Sequence, residues 1–78
     1  MSTKVPIVKV KILEKLLFRL GFEAKRQSGS HIFYRHPDGK YTTLPHHGNK
    51  ELGRSLTRQI LREIEITPEE FIQLLEEI

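Results

Sequence analysis

The sequence predicts an α+β fold in which helices cover one face of a three-stranded antiparallel sheet. Three observations support it. Apolar residues near the start have helical spacing, three short segments rich in aromatic and β-branched residues are separated by turn signals, and two further helical segments follow. The resulting order is α-β-β-β-α-α, and segregating the helices to one face of the sheet is the economical packing for that order.

The first helix is predicted from about Val10. Its apolar residues recur at positions that share one helical face, and Gly21 suits the left-handed position that ends a helix. Phe18 falls outside this face and is expected to be partly exposed. Residues 1–7, which precede the helix, are predicted to be extended. The residues of the apolar face are Ile12, Leu13, Leu16, Leu17 and Leu20.

Three strands are predicted next, at Phe22–Arg26, His31–His36 and Tyr41–Leu44, the last stopped by Pro45. The "QSGS" and "PDGK" segments connect them as turns, and Gly39 supplies the positive φ that such a hairpin connection needs. The strands therefore form an antiparallel meander.

The second strand has bulky side chains on both faces. His31, Phe33 and Arg35 share one face, and Ile32, Tyr34 and His36 share the other. We expect Phe33 to face the core, which would leave Tyr34 and His36 on the open face.

The loop "HHGNKELG" is followed by a helix from about Ser55, with Leu56, Ile60, Leu61 and Ile64 on one side. The last helix has a clear start signal. Thr67 is the predicted N-cap, Pro68 occupies the first helical position, and Glu70 completes a capping box. Its apolar side carries Phe71, Leu74, Leu75 and Ile78.

The length and composition predict one small globular domain over residues 1–78. The chain contains no cysteine, and small secreted domains are often stapled by disulfides, so an intracellular, cytoplasmic location is favoured. We find no apolar run typical of a signal peptide or a membrane span.

Charge is distributed unevenly along the chain. Residues 1–62 contain thirteen basic and four acidic residues, a net charge of +9, whereas residues 63–78 contain six acidic residues and no basic one. A basic body favours phosphate-rich partners through counterion release. A solvated lysine-rich surface explains the same pattern without any partner.

Four histidines raise the question of a metal site. They are not arranged in any usual ligand spacing, and no cysteine accompanies them, so the sequence does not predict one. Ser28 and Ser30 lie near His31, but no nucleophile elbow surrounds them. The histidines are His31, His36, His46 and His47.

RNA chemistry fits the residue types better, because RNA supplies its own nucleophile, the 2′-hydroxyl. Histidine is a natural proton carrier near neutral pH, and basic side chains stabilise a developing negative charge. His31 stands near Lys25, Arg26 and Arg35, and Phe33 and Tyr34 offer surfaces on which bases can stack. The residue types alone favour the simpler interpretation, in which His31 only caps the strand or forms a hydrogen bond within the turn.

The segment "GSHIFYRHPDG" resembles the HicA family, the toxin half of toxin–antitoxin pairs. "LEKLLFRLGFEAKRQSGSHIFYRHPDGKYTTLPHHGNKEL" is similar to the family's pattern in order, and "LTRQILREIEITPEEFIQLL" looks like its closing helices. The resemblance implies a double-stranded-RNA-binding-like fold with an added C-terminal helix. It also implies an mRNA-cleaving endoribonuclease without a metal cofactor, and a HicB-type antitoxin that covers the active surface.

The resemblance assigns roles to several residues. It implies that His31 is the catalytic histidine, that Gly29 and Ser30 shape the turn that holds it, and that nearby cations bind the RNA. The family usually has a second histidine where this chain has Ile32. That departure rules out a mechanism with two adjacent imidazoles but leaves a single-histidine mechanism possible. Tyr34, Ser30 or water remain open as the complementary proton-transfer group. The residues expected to contact RNA are Lys25, Arg26, Gly29, Ser30, Tyr34 and Arg35.

Two alternatives to a ribonuclease toxin stay open. One is a non-catalytic RNA-binding module of the same fold, for which His31 would matter little. The other is an inactive toxin relative that acts through a protein partner. RNA cleavage by the wild type, and its loss in His31→Ala, would separate the first possibility from both alternatives.

Overall fold

Three antiparallel strands in the order β1-β2-β3 form a single sheet, which packs against helices. The computed structural model describes residues 4–78. The element order α-β-β-β-α-α confirms the predicted α+β architecture. The elements are α1 (Val10–Arg19), β1 (Glu23–Ser28), β2 (His31–Arg35), β3 (Tyr41–Pro45), α2 (Arg54–Glu63) and α3 (Pro68–Glu77).

The start of α1 has no side-chain cap, since Lys9 at the N-cap makes no such bond. Backbone carbonyls of the loop after β3 replace it. The Val10 N–H donates to the Lys50 carbonyl at 2.9 Å, and the Lys11 N–H donates to the Gly48 carbonyl at 3.1 Å. Two of the amides that a helix start leaves unpaired are thus satisfied by tertiary structure.

The other end of α1 and the start of α3 confirm the local signals in the sequence. Gly21 follows the helix with a φ of +98°. At α3, the Glu70 N–H donates to Thr67 Oγ1 at 3.1 Å and the Thr67 N–H donates to Glu70 Oε1 at 2.9 Å. This reciprocal pair is the predicted capping box.

The strands differ from prediction only near their ends. β1 lies one to two residues later than expected, and β3 extends through Pro45. A bulge at Lys25 interrupts the β1–β2 pairing, because Ala24 pairs with Tyr34 whereas Arg26 pairs with Phe33. Gly39 adopts a φ of +103° in the β2–β3 turn, as predicted.

The core lies between the helices and one face of the sheet. Helix α1 contributes four buried residues, and α3 contributes Phe71. In α2, Leu56 was predicted to face the core but is 38% exposed. Thr57, the next residue, is fully buried instead. The fully or nearly fully buried hydrophobic residues are Val5, Val10, Leu13, Leu16, Leu17, Phe22, Tyr34, Leu44, Leu52, Ile60, Leu61, Ile64 and Phe71.

The extended segment predicted at the start of the chain lies partly outside the described residues, at positions 1–3. Residues 4–8 have no regular secondary structure. The Leu52 N–H donates to the Val8 carbonyl at 2.9 Å, and Nε of Arg54 donates to the Val5 carbonyl at 2.9 Å. These bonds connect the beginning of the chain to the loop before α2 and to α2 itself.

The prediction that Phe33 faces the core is wrong. Tyr34 is fully buried, and Phe33 is half-buried on the opposite face of the sheet. The Tyr34 ring meets Phe18 edge-on with centroids 5.9 Å apart, and its hydroxyl donates a hydrogen bond to the Glu14 carboxylate. Because α1 supplies an acceptor for the phenol, burying Tyr34 leaves no unpaired polar group.

Candidate functional site

One face of the sheet, here called the open face, is turned away from the core. Exposure alternates along β3, where Thr42 and Leu44 are buried and Tyr41 and Thr43 are exposed. Cross-strand pairing extends the alternation to the other strands, because paired residues share a face. The open face carries Glu23, Arg26, Ser28, His31, Phe33, Arg35, Tyr41, Thr43 and Pro45.

His31 is the first residue of β2, as predicted, and its side chain is exposed on the open face. Gly29 and Ser30 form the turn before it, and Gly29 adopts a φ of +59°. The pairing then places His31 between Ser28 of β1 and Pro45 of β3. The sequence "SGSH" thus holds the imidazole in the middle strand rather than on a free loop.

A small cleft opens beside His31, between β3 and α2. It contains four polar side chains, namely the His31 imidazole, the Thr43 hydroxyl, the Gln59 amide and the Glu63 carboxylate. Oε1 of Glu63 accepts a hydrogen bond from Thr42 Oγ1 at 2.7 Å, which links α2 to β3. The sequence analysis missed Gln59 and Glu63. Their four-residue spacing indicates a shared side of a helix, but no local pattern says that α2 runs along β3.

Two aromatic rings lie next to each other on the open face. The centroids of Phe33 and Tyr41 are 5.4 Å apart, and the ring planes are tilted by 35°. Cζ of the Arg26 guanidinium lies 5.8 Å from the Phe33 centroid, within the range of a cation–π interaction. Tyr41 is 58% exposed and was not among the predicted site residues. A hairpin that turns at "HPDGK" pairs Arg35 with Tyr41. That pairing is the feature from which the sequence would have placed Tyr41 near Phe33.

Tyr34, predicted to contact RNA, has no exposed ring on which a base can stack. Its hydroxyl donates to Glu14, and burial, together with that bond and the negative charge, raises the pKa of Tyr34 well above its usual value. Tyr34 is therefore unsuited to donate a proton to a substrate, and the exposed aromatic surface belongs to Phe33 and Tyr41.

The three predicted basic residues differ in their position relative to the aromatic pair and in whether they form an ion pair. Arg26 and Arg35 lie on the open face, beside and beyond Phe33. Lys25 occupies the bulge, where its Nζ lies 2.8 Å from Oε1 of Glu23 and lowers the pKa of that exposed carboxyl by hydrogen bonding and charge. Part of the Lys25 charge is thus compensated within β1, whereas no ion pair within residues 4–78 involves either arginine.

The other histidines have different surroundings. Nδ1 of His36 accepts the Asp38 N–H at 3.1 Å, and the ring meets Phe22 edge-on with centroids 5.1 Å apart, so His36 anchors the β2–β3 turn. His46 and His47 are exposed in the loop before α2. Nowhere in residues 4–78 do three or more histidine, aspartate or glutamate side chains form a group that could hold a metal ion.

Comparison with models of known protein families yields a match. The family model described as "HicA toxin of bacterial toxin-antitoxin" matches residues 10–66 of the 78-residue chain. The matched region contains the whole sheet, α1 and α2, and therefore every residue of the open face. A search of curated proteins gave no match. None of the helices in the described part of the chain is long and apolar enough to cross a membrane.

Proposed function

The chain belongs to the HicA toxin family of toxin–antitoxin systems, and on that basis we propose that it is an endoribonuclease that cuts mRNA and arrests translation. His31 is its proton-transfer residue, and no metal cofactor takes part. The observation that carries the proposal is the position of His31, exposed in the middle strand of the open face beside a polar cleft and near two unpaired arginines.

The proposed reaction is an in-line transesterification. The ribose 2′-oxygen attacks the adjacent phosphorus, the bond from phosphorus to the 5′-oxygen breaks, and the products are a 2′,3′-cyclic phosphate and a 5′-hydroxyl. One proton leaves the 2′-hydroxyl and another reaches the departing 5′-oxygen. His31 performs one of these transfers: a neutral imidazole can accept the 2′-hydroxyl proton, and a protonated imidazole can donate a proton to the departing 5′-oxygen.

The other transfer needs a second group. Ile32 occupies the place of the family's second histidine, and its side chain packs against the core rather than beside His31. Tyr34 is excluded by its burial and its bond to Glu14. Ser30, the Glu63 carboxylate in the adjoining cleft, and water are the remaining candidates.

Phosphate binding is assigned to Arg26 and Arg35 on the open face and to Lys25 at its edge. Guanidinium groups match phosphate geometry and stabilise the negative charge that develops on the non-bridging oxygens. The backbone of Gly29 and Ser30 shapes the turn that brings the phosphate to His31. The exposed position of all five residues supports this assignment.

A matched pair of histidine variants tests the proposal. His31→Ala should keep its circular dichroism spectrum and lose RNA cleavage by about 10²- to 10⁴-fold, the usual contribution of acid–base catalysis. It should also relieve growth arrest on expression. His47→Ala removes an exposed loop histidine and should cleave like the wild type. Near wild-type cleavage by His31→Ala would show that the assignment is wrong.

A non-catalytic RNA-binding module is the second candidate, favoured by the isoleucine at position 32. Such a protein would bind RNA with a steep salt dependence and leave it intact. An inactive toxin relative would instead form a stable complex with a protein partner and bind no RNA. Incubation of the purified wild type with labelled RNA separates these outcomes.

A cognate HicB-type antitoxin is the proposed protein partner. Residues 1–62 carry a net charge of +9, which favours an acidic partner by electrostatic steering. Binding of that partner across the open face would cover His31 and would also stabilise this small fold by mass action.

A further inference from the structure

We propose that Arg26, Phe33 and Tyr41 form a base-stacking platform that holds an unpaired nucleotide beside His31 and thereby restricts the protein to single-stranded RNA. The inference rests on the proposed function and adds its specificity-determining residues. The sequence analysis offered Phe33 as a stacking surface. It expected Arg26 to contact RNA without stacking, and it gave Tyr41 no role.

The three flat groups form a row across the sheet, one from each strand. Phe33 of β2 pairs with Arg26 of β1, so both side chains rise from the same face. Tyr41 of β3 is the diagonal neighbour of Phe33, with ring centroids 5.4 Å apart. The Arg26 guanidinium carbon lies 5.8 Å from the Phe33 centroid on the other side. The rings are tilted by 35° and the guanidinium lies over Phe33, so the row offers a base adjoining aromatic and guanidinium surfaces that do not share one plane.

Exposure distinguishes this row from the aromatic residues of the core. Phe22, Tyr34 and Phe71 are buried, but Tyr41 is 58% exposed and Phe33 is half-buried. A cross-strand aromatic pair also stabilises a sheet, so exposure alone does not identify a binding surface. The second observation is the neighbouring charge, since Arg26 and Arg35 flank the pair and neither forms an ion pair among residues 4–78. Glu23, opposite Arg35 on β1, is paired with Lys25 instead.

The platform lies close to the proposed proton-transfer group. His31 and Phe33 are two residues apart on one strand and one face, a separation of about 7 Å between their Cα atoms. A nucleotide whose base stacks on Phe33 therefore has its ribose and phosphate near His31, with Arg35 two residues further along. Only an unpaired nucleotide can expose a base face in this way, because an A-form duplex keeps its bases stacked internally.

Leucine substitutions separate stacking from a role in folding, because leucine keeps an apolar side chain but has no flat ring. The test measures binding by fluorescence anisotropy, using a labelled single-stranded RNA with 2′-O-methyl riboses that the proposed reaction cannot cleave. The double variant Phe33→Leu/Tyr41→Leu should bind about tenfold more weakly or worse. Tyr41→Phe, which keeps the ring, should retain most of the affinity.

Phe18→Leu is the matched control, since Phe18 is 49% exposed but lies on α1, away from the open face. It should bind RNA like the wild type. A duplex of the same sequence should bind the wild type far more weakly than the single strand. Thermal unfolding of every variant verifies that the fold is retained.

A tryptophan reporter shows directly where the bases lie. The chain contains no tryptophan, so Tyr41→Trp introduces a single emission signal on the open face. Adding the single strand should quench this emission, and adding the duplex at the same concentration should not. Unchanged emission at saturating single strand would contradict stacking at this position.

Besides unchanged emission, two results would overturn the inference: wild-type affinity in the folded double leucine variant, or equal affinity for duplex and single strand. If a double variant with wild-type RNA affinity also loses a cognate antitoxin, the aromatic pair is a protein-docking surface. Failure of the proposed function looks different. If the wild type binds the single strand and the emission of Tyr41→Trp is quenched as expected, but the wild type never cleaves unmodified RNA, the platform stands and the ribonuclease proposal fails.

Discussion

The Tyr34 hydroxyl on β2 donates a hydrogen bond to the Glu14 carboxylate on α1, and this bond accompanies the burial of one face of the sheet. With Tyr34 inside, the alternation of β2 places His31, Phe33 and Arg35 outside together. The open face therefore depends on a contact between residues that are twenty positions apart in the chain.

Tyr34→Phe should destabilise the protein by about 1–2 kcal/mol, because it leaves a half-buried carboxylate without its donor. Urea unfolding at neutral pH, followed by circular dichroism, measures the change. Tyr41→Phe removes the hydroxyl of the exposed tyrosine and should shift the midpoint little. Equal effects of the two substitutions would show that the bond to Glu14 contributes no particular stability.

Stability should fall in acid partly through Asp38. Hydrogen bonds from the Lys40 side chain and backbone hold the pKa of Asp38 at about 2, below its usual 3.8. The folded state thus favours the charged form, and the associated stability is present above pH 3.8 and lost as the pH falls toward 2. Asp38→Asn should flatten the dependence of the urea midpoint on pH in that interval. Glu76→Gln, at an exposed acid of α3, should leave that dependence unchanged.

Three glycine-to-alanine variants should form a graded series. Gly21 combines a φ of +98° with a neighbour, Nε2 of His36, only 3.1 Å from the Cβ that alanine would add. Gly39 has a φ of +103° but open space around it, and Gly48 has no positive φ and its nearest atom at 3.7 Å. Gly21→Ala should be the most destabilising, Gly39→Ala should cost about 1 kcal/mol, and Gly48→Ala should be nearly neutral. Thermal or urea unfolding measures the series, and a neutral Gly21→Ala would contradict the backbone argument.

Cleavage should require the 2′-hydroxyl next to the scissile phosphate. An RNA with one deoxyribose immediately 5′ of a mapped cleavage site should resist cutting there and be cut normally elsewhere. Mass spectrometry of early products should detect 2′,3′-cyclic phosphate ends. Cleavage of the substituted site at the normal rate would exclude 2′-hydroxyl attack, whatever the role of His31.

Binding of a cognate antitoxin should weaken as salt rises, because the proposed interface is basic. Titration calorimetry at several salt concentrations measures the dependence. Arg35→Gln should lower the slope, since Arg35 lies on the open face, whereas Arg62→Gln alters an exposed arginine of α2 and should not. An affinity insensitive to salt would indicate an apolar interface instead.

The local signals of the sequence were sufficient for the order of the elements. The capping box at Thr67, the positive φ of Gly21 and Gly39, and the start of β2 at His31 all depend on residues a few positions apart. Such features are predictable because the hydrogen bonds and φ angles involved depend only on residues within one turn or at one end of a helix. These signals placed His31 at the start of a strand, whereas the catalytic hypothesis for it came from the resemblance to the HicA family.

The tertiary structure decided the composition of the candidate site. Alternation along β2 left both faces bulky. In the fold Tyr34 is the buried residue, and α1 supplies the acceptor for its hydroxyl. The meeting of Phe33 with Tyr41 and the cleft with Glu63 likewise depend on the pairing of β2 with β3 and on α2 packing beside β3. The sequence by itself thus determined which segments fold and where the histidine stands. Long-range pairing and packing decided which side chains surround it, because those choices are made between elements and leave no local pattern in the chain.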